Sequence, residues 1–409
     1  MEAKILSVSK QNIANNLTDT DIQEIEQYSG MMAGVCYMHT PFFDSPVTDP
    51  EKSQKRFKRV AETGHHSIAD HSFVTVLFEN IPKMTAMILN SVGFYNTSEK
   101  SGRYTVMSDD NEKYSQNQKL YHKWVQIFED VIKSYDSEID NKLREKLSLE
   151  NARYMLSVFA PSTTMTYTTS IRMWSYIRQF CSVYISCWDD GGASLDLKRT
   201  KFNNEVLQCI KDLYNCITRM NLYDAHIVDN KARNFQFLAK QTDYNIWNSK
   251  EHYDENYLIK YKVSFASLAQ LHRHRTLKYF MCYDGSEESR FYVPRILRGT
   301  DLEKEWLEDL NILKETYPIA TLVDVVETGL ITDFMYKCDE RLCGRTQLET
   351  MDNCIENLIK FDREYNKSKF MEGQLKWHIK DGIVLMKCNR IHCKEPCYWG
   401  PIKTQRKLI

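Results

Sequence analysis

One order of predicted elements occurs twice in this chain of 409 residues, and it constrains the fold more than any other feature. Each occurrence consists of a strand, a capped helix and a polar turn, at residues 73–104 and again at 257–292. A repeated order of elements is typical of a repeated structural unit. Internal repetition is therefore the first hypothesis to test against the rest of the chain.

Local residue patterns predict the elements of each occurrence. The apolar run 73–78 predicts a buried strand, and Pro82 opens a helix because its missing N–H is tolerated in a first turn. Residues 259–263 alternate apolar side chains with lysines, which is the pattern of a half-buried strand. Ser264 then stands at an N-cap position, and helically spaced apolar residues predict a helix of about three turns.

A basic cluster follows the second predicted helix. Its members can all carry positive charge: His272, Arg273, His274, Arg275 and Lys278. Arg273 and Arg275 lie two positions apart and diverge around a helix, so they can serve two different anions. A phosphate-binding role and compensation of the helix dipole both explain such a cluster.

Composition excludes several classes of function. A hydrophobic content of 42% and a charged content of 27% predict a soluble globular protein, and the length favours two domains. A net charge of −1 argues against a surface that coats nucleic acid, so any anion site is local. No apolar run is long enough to span a bilayer, and the twelve cysteines, without a secretory signal, predict reduced thiols in a cytoplasmic protein.

Polar residues alternate between the two occurrences. When Ser91 is aligned with Arg273, Ile88 aligns with Gln270. In the same alignment, the polar residues of the turn at 98–104 align with residues of a different kind. Farther along, Lys314 corresponds to Arg153, and Cys181 corresponds to Arg341. Between the copies, residues 201–220 predict a helix and 189–192 a turn, which places a boundary near residue 222.

Together these motifs resemble the signature of the flavin-dependent thymidylate synthase family, present here as two tandem copies. The resemblance implies an α+β fold in which the copies form a pseudo-dimer within one chain. Residues 1–221 would form the first repeat, 222–370 the second repeat, and 371–409 a cysteine-containing tail.

Each copy keeps a different part of the family's signature. The first copy keeps Gly64, His65, Ser67, His71, Glu99, Ser101, Gly102, Arg103, Tyr104, Glu150, Ala152 and Arg153. It departs from the family at Asp70, Ser98 and Ser157. The second copy keeps Gln270, Arg273, His274, Arg275, Arg341, Gln347 and Glu349. Its polar turn is lost unless Glu288-Ser289-Arg290 replaces it after an insertion.

In this family each nucleotide site takes one half of the signature from each of two subunits. The complementary losses therefore imply one composite site per chain, with the reciprocal site decayed. The resemblance also implies the reductive methylation of dUMP to dTMP, with FAD as cofactor and with NADPH and methylene-tetrahydrofolate as co-substrates. By the same resemblance the double-length chain is expected to form a homodimer.

The resemblance implies roles for several of the retained residues. The dUMP-binding residues would be Gln270, Arg273, Glu99, Ser101, Gly102, Arg103 and Arg153. The FAD-binding residues would be Ser67, Glu99, Arg273, His274 and Arg275. Arg341 is expected to be the catalytic residue, because a guanidinium at the uracil carbonyl edge stabilises negative charge that develops on the ring. No cysteine nucleophile is then required.

Two other functions remain open at this stage. One is a related pyrimidine-5 modification, such as a nucleotide hydroxymethylase, and the other is a non-catalytic protein that binds nucleotide or flavin. Lys278 and Phe280 stand where the family has serine and asparagine, which keeps both alternatives open. In the tail, Cys388, Cys393 and Cys397 do not have the spacing of a standard zinc motif, so no metal site is assigned and reduced thiols are expected.

Overall fold

The computed structural model describes residues 14–107, 111–190, 198–228, 238, 246–364, 375–390, 397–405 and 407–409. Within these residues the chain mixes helices with small sheets, which is consistent with the α+β class. The α-helices are α1 (Asp19–Gly34), α2 (Pro50–Glu62), α3 (Lys83–Asn90), α4 (Ser115–Tyr135), α5 (Asn141–Ala152), α6 (Ile171–Asp189), α7 (Lys201–Arg219), α8 (Phe265–Leu271), α9 (Asp301–Ile312), α10 (Ile331–Arg341), α11 (Leu348–Glu364), α12 (Lys387–Arg390) and α13 (Gly400–Gln405). The strands are β1 (Phe73–Ile81), β2 (Tyr95–Glu99), β3 (Thr163–Ser170), β4 (His252–Tyr253), β5 (Asn256–Ser264), β6 (Lys278–Met281), β7 (Leu322–Leu330), β8 (Ile379–Lys380) and β9 (Ile383–Val384).

The described chain divides into two compact units. Unit 1 comprises residues 1–75, 168–186 and 210–233, and unit 2 comprises the remainder. These units are defined by spatial contacts, whereas the predicted segments 1–221, 222–370 and 371–409 follow the sequence repeat. The predicted repeat boundaries therefore stay a prediction.

Unit 1 contains a close pair of helices, α1 and α2. Thr18 caps α1 in a reciprocal arrangement with Asp21, which forms a capping box. Gly30 lets the helices approach, since a Cβ atom at this position would lie 1.9 Å from the Ser53 carbonyl oxygen. Arg56 fixes the pair by donating to the Gly30 carbonyl oxygen at 2.8 Å.

Two series of elements follow one another with the same strand arrangement and the same order, except that the first series has one additional helix before its third strand. The first runs β1, α3, β2, α4, α5, β3 and α6, and its sheet has the strand order β1-β3-β2. The second runs β5, α8, β6, α9, β7 and α10, and its sheet has the order β4-β5-β7-β6. In each sheet the third strand of the series thus lies between the other two. β5 and β7 pair antiparallel along their whole length, from Asn256 opposite Leu330 to Ser264 opposite Leu322.

Most of the predicted elements are present, and one is shorter than expected. The strands around 73–78 and 259–263, the N-cap at Ser264 and the helix at 201–220 are confirmed. The predicted three-turn helix after Ser264 is wrong in length, because α8 has only seven residues, about two turns. It ends in tight backbone turns, in which the N–H groups of Arg273 and His274 donate to the carbonyl oxygens of Gln270 and Leu271.

The two series meet in unit 2 through a reciprocal backbone contact. The Val158 N–H donates to the Tyr317 carbonyl oxygen at 2.9 Å, and the Ile319 N–H donates to the Leu156 carbonyl oxygen at 2.7 Å. In the sequence alignment Val158 corresponds to Ile319, and Leu156 corresponds to Tyr317. Each bond is therefore the counterpart of the other, as in a contact between two-fold related subunits.

An aromatic cluster joins α4 of the first series to α9 of the second. Trp306 on α9 is fully buried, and its ring centroid lies 4.7 Å from that of Trp124 and 5.6 Å from that of Phe128 on α4. Polar contacts reinforce this packing. The Trp306 Nε1–H donates to the Tyr292 carbonyl oxygen at 2.9 Å, and the Trp124 Nε1–H donates to Asp309 at 2.8 Å.

We expect Trp306→Ala to lower the free energy of unfolding of unit 2 by about 3–5 kcal/mol, since it leaves a large cavity between the two series. Urea unfolding followed by circular dichroism measures the change. Leu307→Ala, on the exposed side of the same helix, is the matched control and should shift the midpoint little. Equal midpoints for the two variants would contradict a core shared by α4 and α9.

Candidate active site

Side chains from both series converge on Gln347, which lies just before α11 in unit 2. Arg153, in the short turn after α5, donates through Nη2 to Gln347 Oε1, and Gln270 on α8 donates through Nε2 to the same oxygen. Arg153 and Gln347 are buried. Arg153 and Gln270 were both predicted to bind dUMP, one from each copy, and the structure brings them together on a single side chain.

The same two residues carry polar atoms whose hydrogen-bonding capacity is unused. Arg153 Nε and Gln270 Oε1 are buried and have no hydrogen-bond partner in the structure. An unpaired buried polar group costs about 1–3 kcal/mol. One of these atoms is a donor and the other an acceptor. A polar ligand that displaced the side chains covering them would satisfy both.

A buried carboxylate supports this arrangement from the side of α11. Glu349 accepts hydrogen bonds from the Tyr154 hydroxyl at 2.6 Å and from the Ser264 backbone N–H at 2.7 Å. The Tyr154 hydroxyl in turn accepts from Gln347 Nε2. Burial raises the pKa of Glu349, and the hydrogen bonds that it accepts oppose this effect. Glu349 thereby couples the cap of α8 to the turn that carries Arg153.

Arg341, the predicted catalytic residue, lies at the end of α10 beside α8. Its Nε donates to His274 Nε2 at 2.7 Å, and its Nη2 donates to the Gln270 carbonyl oxygen at 3.1 Å. Because its Nε2 accepts this bond, His274 is held as a neutral imidazole. Arg341 is half-buried and retains its charge. It therefore joins the same group of side chains as Gln270.

The predicted cluster of five positive charges is wrong in two of its members. His272 and His274 are buried, and burial lowers their pKa values to about 3 and about 2. Both imidazoles are therefore neutral at pH 7, because desolvation disfavours the charged form. The sequence pattern shows which side chains are basic but does not show which of them are desolvated.

Arg273 and Arg275 hold β2 of the first series. Arg273 Nη2 donates to the Thr97 carbonyl oxygen at 3.0 Å, and Arg275 Nη1 donates to the Tyr95 carbonyl oxygen at 2.9 Å. Arg275 is exposed, while Arg273 is half-buried. The two guanidinium groups thus connect the Arg-His-Arg segment to the strand that leads into the polar turn of the first copy.

The polar turn itself presents Arg103. Ser101 Oγ accepts from the Arg103 N–H at 3.3 Å, and the Ser101 carbonyl oxygen accepts from the Tyr104 N–H at 3.1 Å. Gly102 is buried against Arg153, since a Cβ atom would lie 3.4 Å from Arg153 Cδ. The polar turn therefore lies next to the second predicted arginine.

A salt bridge and a backbone contact fix the Arg103 guanidinium. Its Nε lies 2.7 Å from Glu150 Oε2, and its Nη2 donates to the Arg345 carbonyl oxygen at 2.5 Å. Burial acts to raise the pKa of Glu150, but the charges of Arg103, Lys407 and Arg153 outweigh it and hold that pKa below its usual range. Arg345 follows α10, the last helix of the second series, so this turn also contacts the segment after that series.

A pocket of about 640 Å³ opens beside Arg103, and we call it the Arg103 pocket. It is lined by Arg103, Tyr104, Asp140, Lys142, Leu143, Lys146, Leu147, Glu150, Gly344, Arg345, Cys397, Tyr398, Trp399 and Lys407. Five lining side chains are cationic and two are acidic, so the wall carries net positive charge. Its volume is within the range of small-molecule sites.

Sequence reasoning missed the contribution of the C-terminal segment to this pocket. Lys407 is buried, and its ammonium donates to the carbonyl oxygens of Gly344 and Thr346 at 3.0 and 2.9 Å. Burial lowers the pKa of Lys407 to about 8. The Trp399 ring lies 4.8 Å from the same ammonium. No local motif marks Lys407, since its position depends on the packing of the segment after residue 397.

Two of the residues predicted to bind FAD, Glu99 and Ser67, have different neighbours from the arginines described above. Glu99 forms an ion pair with Lys83, within unit 2. Ser67 belongs to unit 1, where it lies on the exposed side of the short turn His66–His71. Their predicted roles toward FAD remain predictions.

The cysteines carry no described metal site in the tail. Cys388 and Cys397 form no disulfide among the described residues, while Cys393 and the neighbouring His392 lie outside the described residues. Asp189 and Asp190 of the predicted turn are described, and the two glycines after them also lie outside.

One part of the chain is similar to known proteins. Residues 17–183 match the model of a family described as thymidylate synthase complementing protein. The similarity covers less than half of the chain. The thymidylate synthase complementing protein match extends from the start of α1 into α6, so it includes Arg103 and Arg153 and ends before Gln270. The chain has no match among curated proteins. None of the described helices is both long enough and apolar enough to cross a membrane.

We expect acid to destabilise the fold through His274. Its pKa is about 2 when folded and 6.5 in the reference state, so below pH 6.5 the unfolded chain binds a proton that the folded chain does not. The contribution of neutral His274 to the free energy of unfolding is fully present above pH 6.5, and it falls by about 1.4 kcal/mol for each pH unit below 6.5. Urea unfolding over a pH series should give a smaller slope for His274→Gln, which keeps an acceptor for Arg341.

Exposed His65 provides the matched control for this experiment. His65→Gln should leave the pH slope close to that of the unchanged protein. An unchanged slope in His274→Gln would show that this imidazole is protonated in the folded state.

Proposed function

We propose that the chain is an FAD-dependent thymidylate synthase that methylates dUMP to dTMP with methylene-tetrahydrofolate and NADPH, at one composite site per chain. The observation that carries this proposal is the meeting of Arg153 and Gln270 on Gln347. These residues come from different halves of the family signature, and in the family those halves come from different subunits.

The proposal includes a tandem duplication, which the fold supports. The two series share the arrangement of their strands and, apart from the one additional helix of the first series, their order of elements. A pair of corresponding bonds, one within each series, supports it as well. The Met84 N–H donates to the Val158 carbonyl oxygen at 2.9 Å, and the Ala266 N–H donates to the Ile319 carbonyl oxygen at 3.1 Å. Met84 corresponds to Ala266 in the alignment that pairs Ser91 with Arg273.

In this proposal the nucleotide phosphate binds on the cationic side of the Arg103 pocket. Arg103, Lys146 and Arg345 supply positive charge there, from the first series and from the segment after the second series. Tyr104, Tyr398 and Trp399 offer aromatic faces of the kind on which bases stack. The unused donor of Arg153 and the unused acceptor of Gln270 suit a uracil edge, which presents carbonyl oxygens and an N–H.

The Arg-His-Arg segment fits the diphosphate of FAD in charge. The described hydrogen bonds of Arg275 use Nη1, and those of Arg273 use Nη2, so each guanidinium retains further donors. Arg275 is exposed and can reach an anion without rearrangement of the core. When bound, the flavin would supply the reducing equivalents. Arg273 and Arg275 would hold it, and Arg341 would stabilise charge on the pyrimidine.

A cytoplasmic homodimer of these double-length chains completes the proposal. Each chain would bind dUMP and a folate as small molecules, without nucleic acid or a membrane as partner. A nucleotide hydroxymethylase and a non-catalytic binding protein are the outcomes that the following experiment separates from it.

The deciding experiment supplies the purified chain with FAD, dUMP, methylene-tetrahydrofolate and NADPH and measures the mass of the product. A methylated nucleotide supports the proposal. A hydroxymethylated nucleotide would establish the related pyrimidine-5 modification instead. Binding of dUMP and flavin without any product would establish a non-catalytic protein, and failure to bind either would overturn the nucleotide site itself.

We expect Arg103→Ala and Arg341→Ala to fail in different ways. The first removes a phosphate contact and should weaken dUMP binding at least tenfold, about 1.4 kcal/mol. The second should mainly lower kcat, because its charge acts most strongly in the transition state. Isothermal titration and steady-state kinetics measure the two effects. Mixing the variants should restore nothing, because both halves of the site lie in one chain.

Two controls accompany these variants. Arg103→Gln combined with Glu150→Gln removes both charges of the salt bridge, so a binding defect in it does not arise from an unpaired buried carboxylate. Lys314→Ala changes the exposed counterpart of Arg153 and should cost little. Activity recovered on mixing, or two nucleotides bound per chain, would refute the single site within the chain.

A further inference from the structure

Unit 1 contains a cluster of ligand-type side chains that the nucleotide site does not use. Glu26 lies in the middle of α1, and Asp224 and His226 lie in the turn that follows α7. One ligand atom from each of the three lies within 4.8 Å of the other two. Two carboxylates and an imidazole are a donor set that suits divalent first-row transition metals.

The buried carboxylate of Asp224 has an oxygen without a partner. Asp224 is 2% exposed, and its Oδ2 accepts no hydrogen bond. Its Oδ1 accepts the His226 backbone N–H at 2.8 Å, which holds the side chain in the turn. A buried carboxylate oxygen is costly to leave unpaired. This oxygen therefore points to a cation as its missing partner.

Glu26 and His226 are spaced for a shared ion. Glu26 Oε2 accepts a hydrogen bond from Gln54 Nε2 at 2.6 Å, and its Oε1 lies 3.9 Å from His226 Nε2. The latter distance is too long for a hydrogen bond. Metal–ligand bonds of about 2.0–2.2 Å place two ligands of one ion up to about 4 Å apart, so the gap accommodates an ion.

The other ring nitrogen of His226 is already oriented by a carboxylate. His226 Nδ1 lies 3.2 Å from Glu62 Oε1, at the end of α2. With the Nδ1 proton donated to Glu62, the Nε2 lone pair faces Glu26. Metal-binding histidines usually have such a carboxylate on the distal nitrogen, because it fixes the tautomer and raises the basicity of the ligand.

The charge balance at this place favours a cation. Glu26, Glu62 and Asp224 contribute three carboxylates, whereas Lys58 contributes an ammonium 3.6 Å from Glu26 Oε2. A pocket of about 420 Å³ has Glu26, Lys58 and His226 in its wall, so an ion and its water ligands can reach the cluster from solvent.

We propose that unit 1 binds a divalent transition-metal ion through Glu26 Oε1, His226 Nε2 and the Asp224 carboxylate, with Glu62 orienting the histidine. Water from the pocket completes the coordination. The ion links α1 to the turn after α7 and stabilises unit 1, since a ligand that binds the folded state alone raises its stability. It takes no part in the nucleotide chemistry of unit 2.

The test uses Mn²⁺ and the full chain after chelator treatment, without flavin or nucleotide. Mn²⁺ prefers oxygen and imidazole ligands, so the many cysteines compete little. Electron paramagnetic resonance counts free Mn²⁺ in a titration, and thermal unfolding is recorded in parallel. We expect one Mn²⁺ per chain and a rise in Tm on its addition.

Variants locate the ion. Asp224→Asn preserves shape and should weaken Mn²⁺ binding at least tenfold, and Glu62→Gln should weaken it about 10- to 100-fold by losing the orienting carboxylate. Asp19→Asn removes an exposed carboxylate from the wall of the same pocket and should bind as the unchanged protein does. Glu26→Gln provides a second ligand variant if Asp224→Asn does not fold.

Two outcomes would overturn the proposal. One is that the unchanged protein binds no Mn²⁺ at millimolar concentration. The other is that Asp224→Asn, Glu26→Gln and Asp19→Asn bind it equally, which would place the ion elsewhere. Either outcome leaves the nucleotide site untouched, because that site is built from unit 2.

Discussion

Unit 2 depends on the backbone contact between residues 156–158 and 317–319. The two hydrogen bonds pair corresponding residues, so this junction specifies how the two series approach each other. The turn with Arg153 and Tyr154 lies directly before the first of these segments, and the Ala320 N–H donates to the Tyr154 carbonyl oxygen at 3.1 Å. Once the junction forms, Arg153 and Tyr154 are directed toward Gln347 and Glu349. The position of the candidate site therefore follows from main-chain geometry.

Buried polar groups then restrict the site to one arrangement. Glu150 and Glu349 are both buried. Arg103 donates to Glu150, and Tyr154 and Ser264 donate to Glu349. Removing one partner of such a group leaves a desolvated charge, which is more costly than the loss of the bond itself. The donors and acceptors are thus mutually dependent. Gln347 and Glu349 are both buried, so their orientation depends on these neighbouring donors and acceptors.

Local residue patterns predict most of the strands and helices, but they do not predict the environment of individual side chains. The alternation at 259–263 and the serine at 264 predict a strand and a cap because both depend on neighbouring residues alone. The neutral state of His272 and His274 depends on burial by distant segments, whereas the sequence pattern alone predicts that both can carry positive charge. The role of Lys407 likewise depends on a tertiary contact with Gly344 and Thr346. The cluster of Glu26 and His226 joins residues two hundred positions apart, and no spacing rule connects them.

The proposed tandem arrangement would account for a single site per chain. At the proposed composite site the buried Arg153 contacts Gln347, while its counterpart Lys314 is exposed. Gln270 reaches the same glutamine, whereas its counterpart Ile88 is a buried apolar residue of α3. An exposed lysine and a buried isoleucine cannot supply the hydrogen-bonding groups that Arg153 and Gln270 supply. In separate identical subunits both sites would change together, since each substitution appears twice. In the proposed tandem chain that constraint is absent, so one half-site could be lost from each copy while the junction that positions the other remains intact.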